Sequence, residues 1–463
     1  MSSTARPKRT EPVSDAALLD RRGVATLLAM LLFGITIISF RPFSPMAAES
    51  TGGDIVNQLG FGAVGGLSLF CLLTFVDRKV LASLVGFWWA LLLGLFLVSV
   101  VNAADPSSAF RTAVFTLIGV LAMLAVLTVP RDADAISTVF AVTGLAIVGL
   151  CYAGLVVYPD IAIHGTDSTE PQHAGLWRGA FSHKNVAGPV MAGLSFAGLY
   201  LMRRGWRWSG GLLLVSAVVF LAHTGSKTTT GLVPLAFLLV MGPSLVGLRR
   251  AVPLIFAVAL VVAAVATVGI VVSQPLWDLS QQVSPGLTYT GRTTLWTFLL
   301  EMIEKKPWFG YGYESFWGTQ VVQLQDKPFD SDWDIRGIVH GHNGYLDVAV
   351  LMGVPTLLVA VVAFLIVPMI DFLRVPPNRE NVFLADFFMM TLMFTAFNAF
   401  LESFFFRRVD PVWLFFVLAV FGLRYVSRFT IPGNVAPQKR RTRRIVDWAG
   451  LLQPAWSRTA RNH

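Results

Sequence analysis

The sequence predicts an all-α integral membrane protein with about 12 transmembrane helices. Of its 463 residues, 55% are hydrophobic and only 14% are charged, and the mean hydropathy is +0.65. An average soluble domain carries about 25% charged residues, so this composition excludes an ordinary water-soluble globule. Apolar runs of about 20 residues recur along most of the chain, and each is long enough to cross the hydrocarbon core as a helix.

The predicted spans are apolar runs bounded by charged or Pro/Gly-rich breaks. They lie at 24–40, 55–76, 80–101, 109–129, 135–158, 185–202, 206–222, 228–246, 252–272, 348–370, 381–401 and 411–427. Residues 24–427 thus form a polytopic membrane domain between two basic tails, 1–23 and 428–463. Two outer loops are long, at about 159–184 and 273–342, and loops as long as the second are usually functional.

The distribution of basic residues predicts that both tails lie in the cytoplasm. The tails hold 13 basic and 4 acidic residues, which accounts for the whole net charge of +9 and gives no indication of a nucleic-acid-binding body. With the tails inside, every short cytoplasmic loop contains Lys or Arg, as the positive-inside rule requires. Cys71 and Cys151 both lie in apolar runs and imply neither a disulfide framework nor a cysteine metal site.

The same orientation places six of the seven histidines on the outer side or at its edge. They are His164, His173, His183, His223, His340 and His342. Several basic residues that topology does not require also lie there. Cations and imidazoles on one face favour an anionic substrate and proton transfer, whereas the alternative is that the cations only contact lipid phosphates.

Residues 177–188 lead into the sixth predicted span. They offer a titratable ring, a cation and an amide at a helix start, namely His183, Lys184 and Asn185, with Arg178 nearby. Helix N-termini bind anions through free N–H groups and a partial positive charge. The alternative is helix capping alone, by Ser182 or Asn185.

Residues 223–231 precede the eighth predicted span. Their sequence lacks the Gly-x-x-x-x-Gly-Lys spacing, and no strand precedes them, which excludes a nucleotide P-loop. Ser226 and Lys227 at the helix start nevertheless suit phosphate oxygens.

A third segment starts near Gly291. Apolar residues follow Arg292 at helical spacing, which predicts a short amphipathic helix lying on the membrane. Trp296 is one of several aromatic residues here that are candidates for stacking on sugars. The alternative is an interfacial aromatic belt.

The fourth segment, 340–347, leads into the tenth span. His342 is a candidate general base, because an imidazole titrates near neutral pH, and Asn343 and Tyr345 follow it. A zinc site is not predicted, because no His-x-x-x-His or cysteine spacing supports one. Arg407 and Arg408, beside Glu402 and Asp410, suggest either an outer salt-bridge network or a second phosphate contact.

Taken in order, these segments resemble the O-antigen ligase and polymerase superfamily over roughly residues 24–427. The matching motifs are Phe181-Ser-His-Lys-Asn185, Gly225-Ser-Lys227, Gly291-Arg-Thr-x-x-Trp296, and His342-Asn-x-Tyr-Leu346 with Gly353. The first motif is most similar to exopolysaccharide polymerases of the rhizobial succinoglycan type. Lys227 is one departure, because many ligases have Arg at that position.

The resemblance implies a GT-C-like glycosyltransferase of the bacterial inner membrane that acts at the periplasmic face. Such an enzyme polymerises oligosaccharide repeat units carried on undecaprenyl diphosphate, without metal or other cofactor and with inversion at the anomeric carbon. Arg292 and Lys227 would neutralise the diphosphate, and His342 would deprotonate the acceptor. The remaining candidates, Arg178, His183, Lys184, Asn185, Ser226, Trp296, Asn343 and Tyr345, would bind substrate. The growing polysaccharide, membrane lipids, a flippase and a chain-length regulator are the expected partners, and no nucleic acid is expected.

Three other functions compete with this prediction. A ligase, which passes finished glycan to lipid A core or protein, would use the same site with a different acceptor. A transporter predicts ionisable residues deep within spans, but Arg111 and Asp386 lie near span ends. A non-catalytic scaffold would not need histidines on one face.

Overall fold

The structure is a computed structural model that describes residues 15–44, 55–166, 171–286, 289, 291–324 and 335–433. Within these ranges the regular secondary structure is helical, apart from one isolated antiparallel bridge between Ile163 and Trp177. This confirms the all-α fold that the composition predicts. Most of both predicted tails lies outside the described residues.

The helices of the first half run in sequence order with short connections. They are α1 (Asp15–Ile38), α2 (Ile55–Phe75), α3 (Arg78–Leu84), α4 (Phe87–Val101), α5 (Pro106–Thr128), α6 (Ala133–Val157), α7 (Pro159–Ala162), α8 (Lys184–Arg204) and α9 (Arg207–His223).

The second half contains the extramembrane helices as well as spans. They are α10 (Lys227–Leu245), α11 (Val252–Ala264), α12 (Ile270–Val272), α13 (Gln274–Val283), α14 (Arg292–Lys305), α15 (Gln320–Gln323), α16 (Gly344–Met352), α17 (Val354–Val361), α18 (Val367–Leu373), α19 (Arg379–Asn398) and α20 (Pro411–Arg428). Single π-helical stretches, Val265–Gly269 and Val362–Ile366, join α11 to α12 and α17 to α18.

Among the described residues, ten helices are long and apolar enough to cross a membrane, and eleven if the bent pair α3 and α4 forms one span. These two helices meet at 71°. The seventh predicted span is the 17-residue helix α9, and the tenth is divided at Gly353 into α16 and a span at Val354–Leu373.

Three helices form the centre of the bundle. In the most apolar 18-residue stretches of α8, α19 and α20, 78%, 83% and 72% of the residues are buried. In the corresponding stretch of Arg249–Val272, only 17% are buried. The buried helices therefore pack against protein, and the exposed one faces lipid. Asn185 lies at the start of α8, Glu402 follows α19, and Asp410 precedes α20, so the central helices place these three residues at one end of the bundle.

Ion pairs join the helices at the opposite end. Asp386 accepts from Arg203 and Arg249, each at 2.9 Å. Arg204 lies 2.8 Å from both Asp134 and Glu380. Arg204 and Asn185 are at opposite ends of α8, about 30 Å apart at 1.5 Å per residue.

The segment after α12 forms a second apolar core outside the spans. Its members come from α14, α15, α16 and the turns between them, and they are Leu295, Trp296, Phe298, Leu299, Met302, Ile303, Phe316, Val322, Ile335, Leu346, Ala349 and Val350. Helix α14 starts at Arg292, the residue at which the sequence predicts its beginning. Its apolar face does not lie on the membrane as predicted, because this core buries it against α16.

Candidate active site

One carboxylate joins three side chains that are far apart in the sequence. Oε1 of Glu402 accepts hydrogen bonds from Nη2 of Arg292 at 2.9 Å and from Nδ2 of Asn185 at 3.2 Å. Oε2 of Glu402 lies 3.3 Å from Nδ1 of His342. The side chains of Arg292, Glu402 and His342 keep 21%, 17% and 28% of their exposure, so the cluster is open at one side.

The local backbone holds each of these side chains at an element boundary. Arg292 is the first residue of α14 and follows Gly291, whose φ of 81° is left-handed. Asn185 lies in the first turn of α8, where Nδ1 of His183 accepts from its N–H at 3.1 Å. His183 is therefore the N-cap, and the predicted capping by Ser182 or Asn185 is wrong. His342 has a φ of 48°, which is unusual for a residue with a side chain.

Buried groups hold the turn around His342. The Gly341 N–H lies 3.1 and 3.0 Å from the two carboxylate oxygens of Asp347, and the Gly341 carbonyl accepts from Trp296 Nε1 at 3.1 Å. Oδ1 of Asn343 accepts from the N–H groups of Tyr345 and Leu346, each at 3.1 Å, and so caps α16. These bonds maintain the left-handed conformation of His342.

The electrostatics of the cluster favour an ionised Glu402. Burial alone would raise the pKa of the Glu402 carboxyl, but the hydrogen bond from His342 and the charge of Arg292 hold this pKa below its usual value. An ionised carboxylate only accepts hydrogen bonds. Because Arg292 Nη2 already has Glu402 Oε1 as acceptor, we assign the proton of His342 to Nδ1, facing Glu402. The lone pair is then on Nε2.

His340 belongs to the same site, with its ring centroid 4.2 Å from that of His342. Burial lowers the pKa of His340 well below its usual value, and the positive charges of Arg407 and Arg292 act in the same direction. The neighbouring Asp347 differs, because its burial raises the pKa of its carboxyl despite the hydrogen bonds it accepts.

Two histidines and a carboxylate of this site lie close enough together to be considered as metal ligands. Ligand atoms of His340, His342 and Glu402 lie within 4.8 Å of one another, a spacing that could hold an ion. Arg292 Nη2, however, lies 2.9 Å from Glu402 and 3.4 Å from Nδ1 of His342. A divalent cation bound there would meet a permanent positive charge, so this donor set fits a metal poorly.

Three histidines form a second cluster next to Asn185. The ring centroids of His164, His173 and His183 are 5.0–5.7 Å apart. Nε2 of His164 accepts from the N–H of Lys184 at 3.3 Å, and Lys184 is itself buried. The predicted His183, Lys184 and Asn185 thus lie side by side, and the side-chain amide of Asn185 joins them to Glu402.

Arg178 has a structural role in this outer segment. Its guanidinium donates to the carbonyl of Ile161 and, at 2.8 Å, to that of Ser182. Burial lowers the pKa of Arg178. The contacts argue against the predicted substrate binding, because these donors bind the backbone carbonyls of Ile161 and Ser182.

Ser226 and Lys227 begin α10 beside the first turn of α8. A Cβ on Gly188 would lie 3.2 Å from Cβ of Ser226, so glycine allows this close approach. Gly188 is one turn beyond Asn185, which places the start of α10 next to the Glu402 cluster. Ser226 Oγ pairs with Thr229 Oγ1 at 2.9 Å, and Lys227 is exposed with no ion pair among the described residues.

Arg407 and Arg408 do not form the predicted salt-bridge network. Glu402 pairs with Arg292 and His342, and Asp410 caps α20 by accepting from the N–H of Val412 at 2.8 Å. Arg407 donates to the Ser403 carbonyl at 3.2 Å and has no ion pair in the described part of the chain. The second prediction for these residues, a phosphate contact, therefore stays open for Arg407.

Three predicted substrate-binding residues are internal instead. Trp296 and Asn343 are fully buried, which argues against direct contact with a sugar. Tyr345 donates to the Ala396 carbonyl at 3.0 Å and packs against Phe400. We conclude that these residues position the His342 turn and α16.

Comparison with known protein families adds one match. Residues 212–361 match the model of a family described as O-antigen ligase. This segment contains Lys227, Arg292 and His342, whereas Asn185 and Glu402 lie outside it. No curated protein matches the chain. The family match supports the O-antigen ligase and polymerase superfamily and a function of that type, and the long apolar helices support a multi-pass membrane protein.

Proposed function

We propose that the protein polymerises undecaprenyl-diphosphate-linked oligosaccharide repeat units into exopolysaccharide at the outer face of the bacterial inner membrane. The observation that carries this proposal is the pairing of a partly exposed histidine with a partly exposed carboxylate and an arginine, His342, Glu402 and Arg292. A base next to a fixed cation is what transfer from a diphosphate donor needs.

His342 acts as the general base. With its proton on Nδ1 facing Glu402, Nε2 accepts the proton of the acceptor hydroxyl as the oxygen attacks the anomeric carbon. Glu402 fixes the tautomer and stabilises the imidazolium that forms, as an aspartate does in a serine protease triad. Attack from the face opposite the leaving group inverts the anomeric centre.

Arg292 stabilises the leaving group. The bond between the anomeric carbon and the diphosphate oxygen breaks, and negative charge grows on the lipid diphosphate. A guanidinium has five N–H donors; Arg292 uses Nη2 toward Glu402 and has others for phosphate oxygens. Lys227 and Arg407, which lack ion pairs among the described residues, supply further positive charge.

The decisive experiment is glycan transfer with purified protein and a lipid-diphosphate oligosaccharide. We expect His342→Ala to lower the rate by ~10²–10⁴ and Arg292→Ala by ~10²–10³. Glu304→Gln, an exposed carboxylate on α14, is a matched control and should behave as wild type. If both site variants transfer glycan at the wild-type rate, the proposal is wrong.

The product distinguishes polymerisation from ligation, the activity in the description of the matched family. A polymerase yields a ladder of lipid-linked chains from the repeat unit alone. A ligase yields a single capped product, and only after an acceptor such as lipid A core is added.

A further inference from the structure

A cavity of about 240 Å³ lies at the end of the bundle opposite Glu402. Its walls are the break between α3 and α4, the end of α18, and α20. Helix α20 starts next to the Glu402 segment, and Arg424 in the cavity wall is 13 residues beyond Pro411, about 20 Å along the helix. The cavity is therefore separate from the candidate active site.

Positive charge at this cavity exceeds negative charge. Arg374 and Arg424 line the cavity with Asp371, and Arg428, one turn beyond Arg424 on α20, also acts electrostatically on Asp371. The guanidinium of Arg424 already has two partners in the protein. Nη1 lies 3.6 Å from the carboxylate of Asp371, and Nε donates to the Ser83 carbonyl at 3.0 Å. Arg374 and Arg428 are exposed and have no ion pair within the described residues. Two guanidinium charges are thus left uncompensated.

The other walls of the cavity are apolar. Val367 and Ile370 of α18 face Trp88 of α4, and Trp88 is 39% exposed. Aromatic residues at a span end are typical of the membrane–water interface. An apolar wall beside uncompensated arginines suits an amphiphile that carries a phosphate.

Gly86 connects this cavity to the break between α3 and α4. A Cβ at Gly86 would lie 2.5 Å from Nη2 of Arg424, so a side chain there would displace the guanidinium from its present position. Arg424 in turn binds the carbonyl end of α3 through Ser83. An occupant of the cavity would therefore contact the residues that hold α3 and α4 at their angle.

We propose that this cavity binds an anionic glycerophospholipid from the leaflet at this end of the bundle. Arg374 and Arg428 contact the phosphate, and the upper part of an acyl chain lies against Val367, Ile370 and Trp88. Basic pockets between spans are known sites for anionic lipid headgroups.

The test is thermal unfolding of the full-length protein in a neutral maltoside detergent. Cys71 and Cys151 are both buried free thiols, so a thiol-reactive dye reports unfolding. Phosphatidylglycerol, phosphatidylcholine and inorganic phosphate are titrated separately. A ligand that binds only the folded state raises Tm with its concentration, and we expect this for phosphatidylglycerol alone.

Two variants and one matched control test the contacts. Arg374→Gln combined with Arg428→Gln should weaken phosphatidylglycerol binding by about 25-fold, at about 1 kcal/mol per arginine. Arg131→Gln combined with Arg207→Gln removes two exposed arginines from the same end and should change it less than about twofold. Val367→Trp fills the cavity without changing charge and should also abolish the Tm shift.

Four results would overturn the proposal. Equal stabilisation by phosphatidylcholine would show that the headgroup charge is irrelevant. Equal stabilisation by inorganic phosphate would replace the lipid by a soluble anion. An equal loss in both arginine pairs, or none in Val367→Trp, would show a general surface effect rather than a site.

Discussion

Glu402 accepts a hydrogen bond from Arg292 at 2.9 Å although 110 residues separate the two in the chain. The bond joins the turn after α19, in the centre of the bundle, to the first residue of the extramembrane helix α14. It therefore ties the outer segment to the spans at the point where His342 also meets Glu402.

Glu402→Gln tests the role of this carboxylate. The amide is nearly the same shape but can direct N–H toward His342 and carries no charge to stabilise an imidazolium. We expect kcat to fall by ~10²–10⁴ with a smaller change in KM, measured as glycan transfer. A loss confined to KM would contradict a role in holding the base.

The geometry of the Arg292 side chain matters as well as its charge. Arg292→Lys keeps the charge but loses the planar fork that serves Glu402 and the diphosphate together. We expect its transfer rate to lie between those of wild type and Arg292→Ala. Arg111→Ala, an exposed arginine near the start of α5, should retain full activity. Equal rates for the lysine and alanine variants would show that charge alone contributes nothing.

Asn343 should contribute mainly to stability. Asn343→Ala removes the cap of α16 and leaves the buried carbonyl of Phe400 without its donor at 3.2 Å. We expect a loss of about 1–3 kcal/mol in the free energy of unfolding. Asn343→Ser keeps a capping oxygen and should recover part of it. If Asn343→Ala unfolds as wild type but transfers no glycan, Asn343 binds substrate instead.

His340 predicts a pH dependence of stability. Because its folded pKa lies well below the usual 6.5, the unfolded chain takes up a proton first as the pH falls. The folded state therefore loses stability from about pH 6.5 downward. His340→Asn should show a shallower fall of Tm with acid, with a curve parallel to wild type above pH 7. Identical slopes below pH 6.5 would contradict the shift.

Chelation tests the poor fit of His340, His342 and Glu402 to a metal. We expect glycan transfer to persist after dialysis against a strong chelator, because Arg292 already supplies the positive charge at this position. A loss of activity that zinc or magnesium restores would assign these three residues to a metal.

The spans and the start of α14 could be predicted because hydropathy and helix-start signals are local in sequence. The proximity of Arg292 to His342, with Nη2 and Nδ1 3.4 Å apart, was expected instead from the family resemblance and from the predicted outer location of both residues. The prediction that the apolar face of α14 lies on the membrane is wrong for a physical reason. An amphipathic pattern shows that one face must be buried, but Leu299 and Trp296 satisfy it equally well against protein or lipid.

Glu402 was not predicted as part of the site. A single glutamate between two apolar spans carries no local signal, and its partners Asn185, Arg292 and His342 lie 217, 110 and 60 residues away. The one feature of the sequence that indicates a role for Glu402 is its position beside Arg407 in a predicted outer turn. Asp347 was also missed. Its carboxylate accepts from the Gly341 N–H only once the turn around His342 has formed, and the sequence alone does not show that turn.

The matched segment 212–361 contains Arg292 and His342 but not Glu402, which matters when this segment is exchanged between related proteins. A transplant of residues 212–361 would carry the imidazole and the guanidinium into a new host, but their shared carboxylate would stay behind. Such a hybrid would function only where the host offers an acidic group in the turn before its last span. Compatibility between donor and host would thus depend on one residue outside the transplanted segment.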